Sequence, residues 1–316
     1  MGQIAFVFPG QGSQAVGMGK ALDESFEAAR AVFAEADAVL GFPLRQLCFQ
    51  GPDEQLKLTE NTQPSILAVS IAACRVLSEA GLRPDFVAGH SLGEYSALVA
   101  ANSLSLADAL RTVRKRGTYM QESVPVGHGA MAAILGITVD QVEALCRDAA
   151  QGEVLSPANL NSPSQIVIAG TAAAVDRALP LAKSHGARKA VRLSVSAPFH
   201  CALMQPAQER LAKDLRQVAF LDPEYPLINN ADAAEVRSGD AIAGSLSRQV
   251  CSPVRWTESI QKLISAGVQL FVEVGPGKVL CGLIRQIDRT VRTANVEDPQ
   301  SLAETLEMAS AVRPLG

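Results

Sequence analysis

Residues 89–93 read Gly-His-Ser-Leu-Gly and contain a serine with the setting of a nucleophile. The spacing matches G-x-S-x-G, in which a sharp turn between a strand and a helix exposes the serine hydroxyl. An apolar strand pattern at residues 86–88 precedes it and a helical pattern follows. The N–H group of Leu92 would lie at the helix N-terminus, where it can donate to an oxyanion. We therefore predict that Ser91 attacks a carbonyl carbon; the alternative is a serine that only caps the helix.

A serine nucleophile needs a base, and the chain has four histidines. His185 is expected on the surface near a helix end, and His128 in a solvated glycine-rich junction. His90 is the neighbour of the serine on the sharp turn, which favours a structural role. His200 lies where the chain leaves a predicted inserted domain, beside the expected cleft. We therefore predict His200 as the base, with a purely structural histidine as the alternative.

The acid of a hydrolase-like triad would lie between the serine and the histidine in chain order. Acids of that interval are predicted in the inserted domain, away from the main sheet: Asp140, Glu143, Asp148, Glu153 and Asp176. None has the expected position at a strand end. A backbone carbonyl that accepts from the histidine Nδ1–H group would also fix the tautomer.

The glycine-rich turn at residues 10–14 follows a strand and precedes a helix. With Ala15 in the last position it resembles the dinucleotide-binding pattern G-x-G-x-x-[GA], which needs an acid at the end of a second strand about 20 residues further on. Glu35 and Asp37 have that spacing but lie in a helical pattern. The remaining interpretations are backbone N–H groups that face an anionic intermediate, and a tight turn without chemistry.

A helix predicted from residue 105 to about residue 122 carries a basic cluster. Arg111 and Lys115 lie opposite its apolar stripe and are expected in solvent. Arg114 and Arg116 flank the stripe, and periodicity does not choose between them. Either could face the cleft and hold a carboxylate in bidentate geometry, or remain solvated.

Alternating strands and helices are predicted to position these residues. Strands are expected at residues 4–8, 85–89 and 270–274, and helices at 21–40 and at 64–80, the latter with Pro64 in its first turn. Such alternation is typical of a parallel sheet covered on both faces.

The middle of the chain has a different order. Residues 127–196 read βαββαβ, the ferredoxin-like pattern. We therefore predict an α/β protein in which residues 1–126 and 197–316 form a large parallel-sheet domain and residues 127–196 a small inserted domain. The cleft between the two is the expected binding site.

Composition excludes several classes of protein. The 316 residues have a net charge of −4, which argues against a nucleic-acid partner. The longest apolar stretch, at residues 66–77, is too short to span a membrane, and no signal peptide is recognised. Six widely spread cysteines have no metal-binding spacing and suit a reducing compartment. We expect a cytoplasmic protein without a metal.

In combination, the motifs resemble the malonyl-CoA:acyl carrier protein transacylase family, which is related to the acyltransferase domains of polyketide and fatty acid synthases. The resemblance covers nearly the whole chain. It rests on motifs that occur in order at residues 8–14 (FPGQGSQ), 89–95 (GHSLGEY), 116–121 (RG with MQ), 161–165 (NSPSQ), 200–204 (HCALM), 253–256 (PVRW) and 273–277 (EVGPG).

The resemblance implies transfer of a malonyl group from malonyl-CoA to the phosphopantetheine thiol of holo acyl carrier protein, in fatty acid or polyketide biosynthesis. Ser91 would carry the group as an ester, with ping-pong kinetics. His200 would be the base and then the acid. Arg116 would hold the free carboxylate, and the backbone N–H groups of Gln11 and Leu92 would form the oxyanion hole.

Further positions follow from the resemblance. The backbone carbonyl of Gln249 would orient the catalytic histidine, and Met120 and Phe199 would contact the substrate. A phenylalanine directly before the catalytic histidine, as at Phe199, is similar to the pattern of malonyl-selective polyketide synthase acyltransferase domains. Its bulk leaves less room for an α-methyl group and so favours malonyl over methylmalonyl. The large domain would have a hydrolase-like fold, and no metal or redox cofactor would be needed. We expect a monomer that binds the acidic carrier protein through basic surface residues.

Two other functions share part of this pattern. A serine hydrolase such as a thioesterase would have the same turn at Ser91, but it needs no cation for a carboxylate. A non-catalytic nucleotide-binding module would use only the glycine-rich turn at residues 10–14.

Overall fold

The computed structural model describes residues 2–195 and 197–313. The strands are β1 (Gln3–Phe8), β2 (Phe86–Gly89), β3 (Gly129–Leu135), β4 (Leu155–Ser162), β5 (Gln165–Thr171), β6 (Lys189–Arg192), β7 (Leu227–Ile228), β8 (Glu235–Val236), β9 (Val268–Val274) and β10 (Arg292–Val296). The helices are α1 (Lys20–Ser25), α2 (Glu27–Leu40), α3 (Leu44–Gln50), α4 (Asp53–Leu56), α5 (Thr59–Glu79), α6 (Gly93–Ala100), α7 (Leu106–Glu122), α8 (Val139–Ala150), α9 (Ala172–Leu181), α10 (Gln205–Leu215), α11 (Ile242–Gln249), α12 (Trp256–Ser265), α13 (Val279–Ile287) and α14 (Pro299–Ser310).

The larger sheet has the order β10-β9-β1-β2-β7-β8. Its pairs are parallel except β7 with β8. Strand β1 is central and almost wholly apolar because both faces are covered: Phe6 and Phe8 belong to one core cluster, and Ala5 and Val7 to the cluster on the opposite face. The predicted parallel sheet with two covered faces is confirmed.

The carboxyl ends of three neighbouring strands bring the functional turns together. Phe8, at the end of β1, pairs with Gly89, at the end of β2. Ile228, at the end of β7, pairs with Ala88. Parallel strands end at the same edge of the sheet, so the segments that follow all three begin side by side.

The smaller sheet is antiparallel and has the order β4-β5-β3-β6. Helices α8 and α9 pack with it around a separate core cluster. This is the strand order of the ferredoxin-like fold, as predicted. The boundaries at residues 127 and 196 stay a prediction, and residue 196 lies outside the described residues. Strand β4 is joined to the larger part of the molecule by hydrogen bonds of Ala158 and Leu160 with Val254.

The predicted single helix at residues 21–40 is wrong. Phe26 is extended, with φ −129° and ψ 132°, and separates α1 from α2. The guanidinium of Arg30 donates to the carbonyls of Asp23 and Glu24, and so satisfies the end of the first helix.

The predicted start of the next long helix is also wrong. Helix α5 begins at Thr59, so Pro64 lies inside it rather than in its first turn. Proline has no N–H group to donate to the carbonyl four residues earlier, at Glu60. Arg114 Nη1 donates to that carbonyl instead, at 3.1 Å. A side chain of α7 thus replaces the missing hydrogen bond of α5.

No helix within the described ranges is long and apolar enough to cross a membrane.

Candidate active site

The serine turn is sharp because two glycines allow backbone segments to approach closely. Ser91 has φ 53°, in the left-handed region. A Cβ atom on Gly89 would lie 1.9 Å from the backbone of Gly93, and one on Gly93 would lie 2.0 Å from the carbonyl oxygen of Phe8. Both ends of the G-x-S-x-G pattern therefore require glycine for steric reasons.

Asn230 holds this turn from the end of the neighbouring strand β7. Its side-chain oxygen accepts the N–H of Ser91 at 2.6 Å, and its side-chain nitrogen donates to the carbonyl of Gly89 at 2.6 Å. Asn230 is buried. Because strain at a positive φ persists only where the surroundings fix it, these hydrogen bonds stabilise the exposed position of the serine hydroxyl.

The structure brings Ser91 and His200 together. Ser91 Oγ lies 2.7 Å from His200 Nε2, and His200 Nδ1 lies 2.9 Å from the backbone carbonyl of Gln249. A carbonyl can only accept, so Nδ1 carries the proton and Nε2 is left free to accept the serine proton. The carbonyl takes the place of the triad acid.

His200 is neutral at physiological pH. Burial, followed by the positive charge of Arg116, lowers its pKa to about 3, and the hydrogen bond with the Gln249 carbonyl partly opposes this shift. A neutral imidazole is the form that can act as a base.

Arg116, and not Arg114, faces the serine. Its Nη2 atom donates to Ser91 Oγ at 3.0 Å and to Gln249 Oε1 at 3.0 Å, and Nη1 donates to Gln63 Oε1 at 2.8 Å. Arg116 is 1% exposed. Arg114 instead stacks on the ring of Phe42 and contacts α5. Arg111 and Lys115 are exposed, as periodicity predicts.

The hydrogen bonds of Arg116 leave part of its guanidinium available. All the oxygens named above are neutral, and Nε is buried with no hydrogen-bond partner among the described residues. A buried arginine in this state favours an incoming anion.

Two backbone N–H groups lie beside the serine without an internal acceptor. Within residues 2–195 and 197–313, the N–H groups of Gln11 and Leu92 have no hydrogen-bond partner, whereas the N–H groups of Ser91 and Gly93 are occupied by Asn230 and His90. Gln11 follows β1, and Leu92 precedes the first turn of α6. Donors at these two places suit a developing oxyanion.

Ser91 lines a cavity of about 110 Å³ between the two sheets. All predicted site residues except Gln249 line it, together with residues from the smaller sheet and the segment after it. The lining is Gln11, Gln63, His90, Ser91, Leu92, Arg116, Met120, Met131, Asn159, Leu193, Val195, Phe199 and His200. Gln249 lies behind this wall and contacts it through the hydrogen bonds given above. The described residues contain no cluster of His, Cys, Asp or Glu side chains suited to a metal ion.

His90 and His128 have the predicted surroundings, whereas His185, predicted on the surface, is only partly exposed. His90 Nε2 is 2.8 Å from Asn161 Oδ1, and its ring packs edge-on against Trp256. His128 is exposed, and His185 pairs with Asp148 beyond the end of α9.

The acids considered for dinucleotide binding, Glu35 and Asp37, lie inside α2 rather than at the end of a second strand. The dinucleotide interpretation of residues 10–14 therefore lacks the acid it needs.

Sequence reasoning missed three positions around the serine: Gln63, Glu94 and Asn230. Gln63 and Glu94 are polar residues inside nearly wholly buried helices. Buried polar side chains must find hydrogen-bond partners, so each was a detectable sign of a polar network. Asn230 follows a two-residue strand and left no comparable signal in the sequence.

Glu94 and Gln249 complete that network. Gln249 Nε2 donates to Glu94 Oε2 at 2.8 Å and to the Ser91 carbonyl at 3.0 Å. Glu94 Oε2 also accepts the N–H of Asn230 at 2.9 Å. Burial raises the pKa of Glu94 to about 7, against the lowering effects of Gln249, Asn230 and Arg116.

Known proteins match this chain over nearly its whole length. The family model for the acyl transferase domain matches residues 5–307. The malonyl CoA-acyl carrier protein transacylase of Bacillus subtilis (strain 168) is 50% identical over 310 residues, which is 98% of this chain and 96% of the relative.

Solved structures agree with this assignment. An acyl carrier protein S-malonyltransferase from Vibrio cholerae matches with a TM-score of 0.94 and 48% identity over 96% of this chain and 99% of that one. A malonyl transacylase in complex with its holo type II polyketide synthase acyl carrier protein matches with a TM-score of 0.95 and 46% identity over 97% and 99% of the two chains. The expected family resemblance is confirmed, and the chain belongs to the malonyl CoA-acyl carrier protein transacylase family of acyl transferases.

Proposed function

We propose that this enzyme transfers the malonyl group of malonyl-CoA to the phosphopantetheine thiol of holo acyl carrier protein through an ester at Ser91. One observation carries the proposal: a serine hydroxyl lies 2.7 Å from a neutral imidazole and 3.0 Å from a buried guanidinium in the same cavity. The first contact supplies a nucleophile, and the second selects an acyl group with a free carboxylate.

In the first half-reaction, His200 Nε2 accepts the Ser91 proton as Oγ attacks the thioester carbonyl carbon. The backbone N–H groups of Gln11 and Leu92 donate to the resulting oxyanion, and each such donor is worth about 2.7–4 kcal/mol. The tetrahedral intermediate collapses with cleavage of the carbon–sulfur bond. His200 then gives its proton to the departing thiolate of CoA.

In the second half-reaction, the same histidine removes the proton of the phosphopantetheine thiol. The sulfur attacks the ester carbonyl, the bond to Ser91 Oγ breaks, and the proton returns to the serine. Both half-reactions exchange a thioester and an oxygen ester, so the chemistry runs in either direction without an external energy source. Ping-pong kinetics follow from the shared covalent intermediate.

Arg116 would bind the malonyl carboxylate, a charge-assisted contact worth about 1.5–3 kcal/mol. The bound carboxylate also offsets the positive charge that lowers the pKa of His200. The imidazole thereby becomes a stronger base when the correct acyl group is present. Met120 and Phe199 would contact the rest of the acyl group, and the bulk of Phe199 disfavours an α-methyl group.

The proposal extends to the setting of the reaction. The residues supply every proton transfer named above, so no metal or redox cofactor is invoked. We propose that the enzyme is a cytoplasmic monomer that supplies malonyl groups to fatty acid or polyketide biosynthesis. It would bind its acidic carrier protein through basic surface residues. The proposed partners are malonyl-CoA and the holo carrier protein, and neither nucleic acid nor a membrane is proposed as a partner.

Incubation with malonyl-CoA followed by intact-mass analysis and peptide mapping tests the proposal. We expect one malonyl adduct, on Ser91, that disappears when holo carrier protein is added and reappears on the carrier. Steady release of CoA without a carrier would instead indicate a thioesterase. No adduct, together with binding of NAD, would support a nucleotide-binding module.

A further inference from the structure

The charges around Arg116 are arranged in an unusual order. Its guanidinium donates to Gln249 Oε1, and Gln249 Nε2 donates in turn to Glu94 Oε2. A neutral amide therefore stands between the buried cation and the buried carboxylate. All three side chains are 1% exposed, so water screens neither charge effectively.

This spacing balances the charge of the site while it keeps the cation available. A carboxylate in direct contact with Arg116 would occupy the donors that a substrate needs. Through the amide, Glu94 still lowers the electrostatic cost of burying the guanidinium. The two ends of the Gln249 amide also differ chemically, so the cation and the anion together fix its orientation.

Arrival of a substrate carboxylate changes this balance. Before binding, one cation and one anion are buried together. After binding, a second anion has joined them, and one of the two carboxylates must then lie in a low-dielectric site without its own cation. Protonation of the less favourably placed carboxylate restores a neutral site.

We propose, on the basis of the function proposed above, that Glu94 is the counter-charge of Arg116 and takes up a proton from the solution when an acyl carboxylate binds the guanidinium. Glu94 is thus a positioning residue: it acts on the acyl group through Gln249 and Arg116, without contact with the reacting atoms. Binding of a malonyl group is coupled to proton uptake, whereas binding of an acetyl group is not.

The surroundings of Glu94 favour this behaviour. The charged groups that act on it are Arg116 from α7 and Asp232 from the turn after β7, and Glu94 itself acts on the titratable hydroxyl of its chain neighbour Tyr95. The pKa of Glu94 is raised to about 7, first by burial and in the same direction by Asp232, against the lowering effect of Arg116. A substrate carboxylate that neutralises Arg116 removes the lowering effect of the guanidinium, so the pKa of Glu94 rises further.

Calorimetry of the Ser91→Ala variant tests the proposal, because the thioester stays intact when it binds. Malonyl-CoA and acetyl-CoA are titrated at about pH 8 in two buffers with different heats of ionisation, phosphate and Tris. We expect the protein to take up more protons when it binds malonyl-CoA than when it binds acetyl-CoA, by up to about one per site. The CoA part is common to both ligands and cancels in the difference.

Amino-acid substitutions identify the residue that takes up the excess proton. Glu94→Gln in the same background should abolish the excess uptake, since its amide is neutral but keeps an oxygen that can accept from Gln249 and Asn230. Glu60→Gln is the matched control: it removes a glutamate beside Arg114, outside the cavity, and should leave the uptake unchanged. Equal uptake for both ligands, or an excess that persists in Glu94→Gln, would overturn the proposal.

A second variant covers the case in which Glu94→Gln does not fold. Asp232 is half-exposed and raises the pKa of Glu94, so Asp232→Asn should shift the onset of the excess uptake to lower pH. An unmoved onset contradicts the assignment to Glu94. Acylation of unmodified enzyme by malonyl-CoA is measured in parallel: its absence refutes the proposed function, whereas normal acylation without excess uptake refutes only the role of Glu94.

Discussion

Ser91 and His200 are 109 positions apart in the chain, yet Ser91 Oγ and His200 Nε2 lie 2.7 Å from each other. Both residues have a positive φ, 53° and 61°, which costs a residue with a side chain about 1–3 kcal/mol. Asn230 stabilises the first turn, and the Gln249 carbonyl orients the imidazole on the second. The short contact therefore joins two residues in the left-handed region, one with its backbone held by Asn230 and the other with its ring oriented by Gln249.

Replacement of His200 by alanine should slow acylation of Ser91 by malonyl-CoA about 10²–10⁴-fold at neutral pH, since the serine loses its base. Rapid-quench mass spectrometry measures the rate. His185→Ala is the control, because this histidine pairs with Asp148 on the smaller domain and should leave the rate unchanged. An unchanged rate in His200→Ala would require another base.

Replacement of Arg116 by alanine should reduce malonyl transfer about 10–100-fold while it affects acetyl transfer much less, because only the malonyl group has a carboxylate to lose. Steady-state kcat/KM for the two CoA esters gives the ratio. Arg114→Ala is the control on the same helix, and we expect it to lower stability through the lost contact with the Glu60 carbonyl without changing the ratio. Equal losses of both activities in Arg116→Ala would contradict the carboxylate role.

Gly93→Ala should destabilise the protein by about 3 kcal/mol or more and abolish acylation, because the new Cβ would lie 2.0 Å from the Phe8 carbonyl oxygen. Urea unfolding measures the first effect. Gly282→Ala is the control: a Cβ there has no atom of the described residues within 4 Å, and the change on α13 should stabilise the protein by about 1 kcal/mol. A Gly93→Ala variant with normal stability would show that the close approach at the turn is not needed.

The pH dependence of Ser91 reactivity should reflect the low pKa of His200. With a pKa of about 3, caused first by burial and then by Arg116, the imidazole stays neutral at about pH 5.5, where an ordinary histidine would be about nine-tenths protonated. The rate of reaction with a neutral phosphonylating agent should therefore stay within about two-fold between about pH 5.5 and 7.5.

Arg116→Ala should move the acidic limit of that reaction to higher pH, since removal of the positive charge raises the pKa of His200. A roughly ten-fold loss of rate in the unmodified enzyme at about pH 5.5 would indicate an ordinary pKa for the base.

Local sequence patterns could predict the turn at Ser91 and the elements around it. The G-x-S-x-G spacing, the strand before it and the helix after it all lie within a few residues, where steric rules and periodicity act directly. The βαββαβ order likewise predicted the smaller sheet. At both wrong helix boundaries an arginine side chain satisfies carbonyls that the helix leaves free: Arg30 of the next helix does so before Phe26, and Arg114 of α7 does so at Glu60, four residues before Pro64.

The sequence by itself determined which residue types meet at the carboxyl ends of the parallel strands, and the family resemblance named Arg116 and Gln249. Periodicity alone did not separate Arg116 from Arg114, because the choice depends on a carbonyl that Pro64 leaves free on another helix. Nor could it identify Gln249 as the residue that orients His200, because that contact uses a backbone carbonyl, which any residue could offer. Only the tertiary structure placed Glu94, Gln249 and Asn230 behind the serine, since buried polar groups take partners by proximity in space, and that proximity depends on how the strands and helices pack.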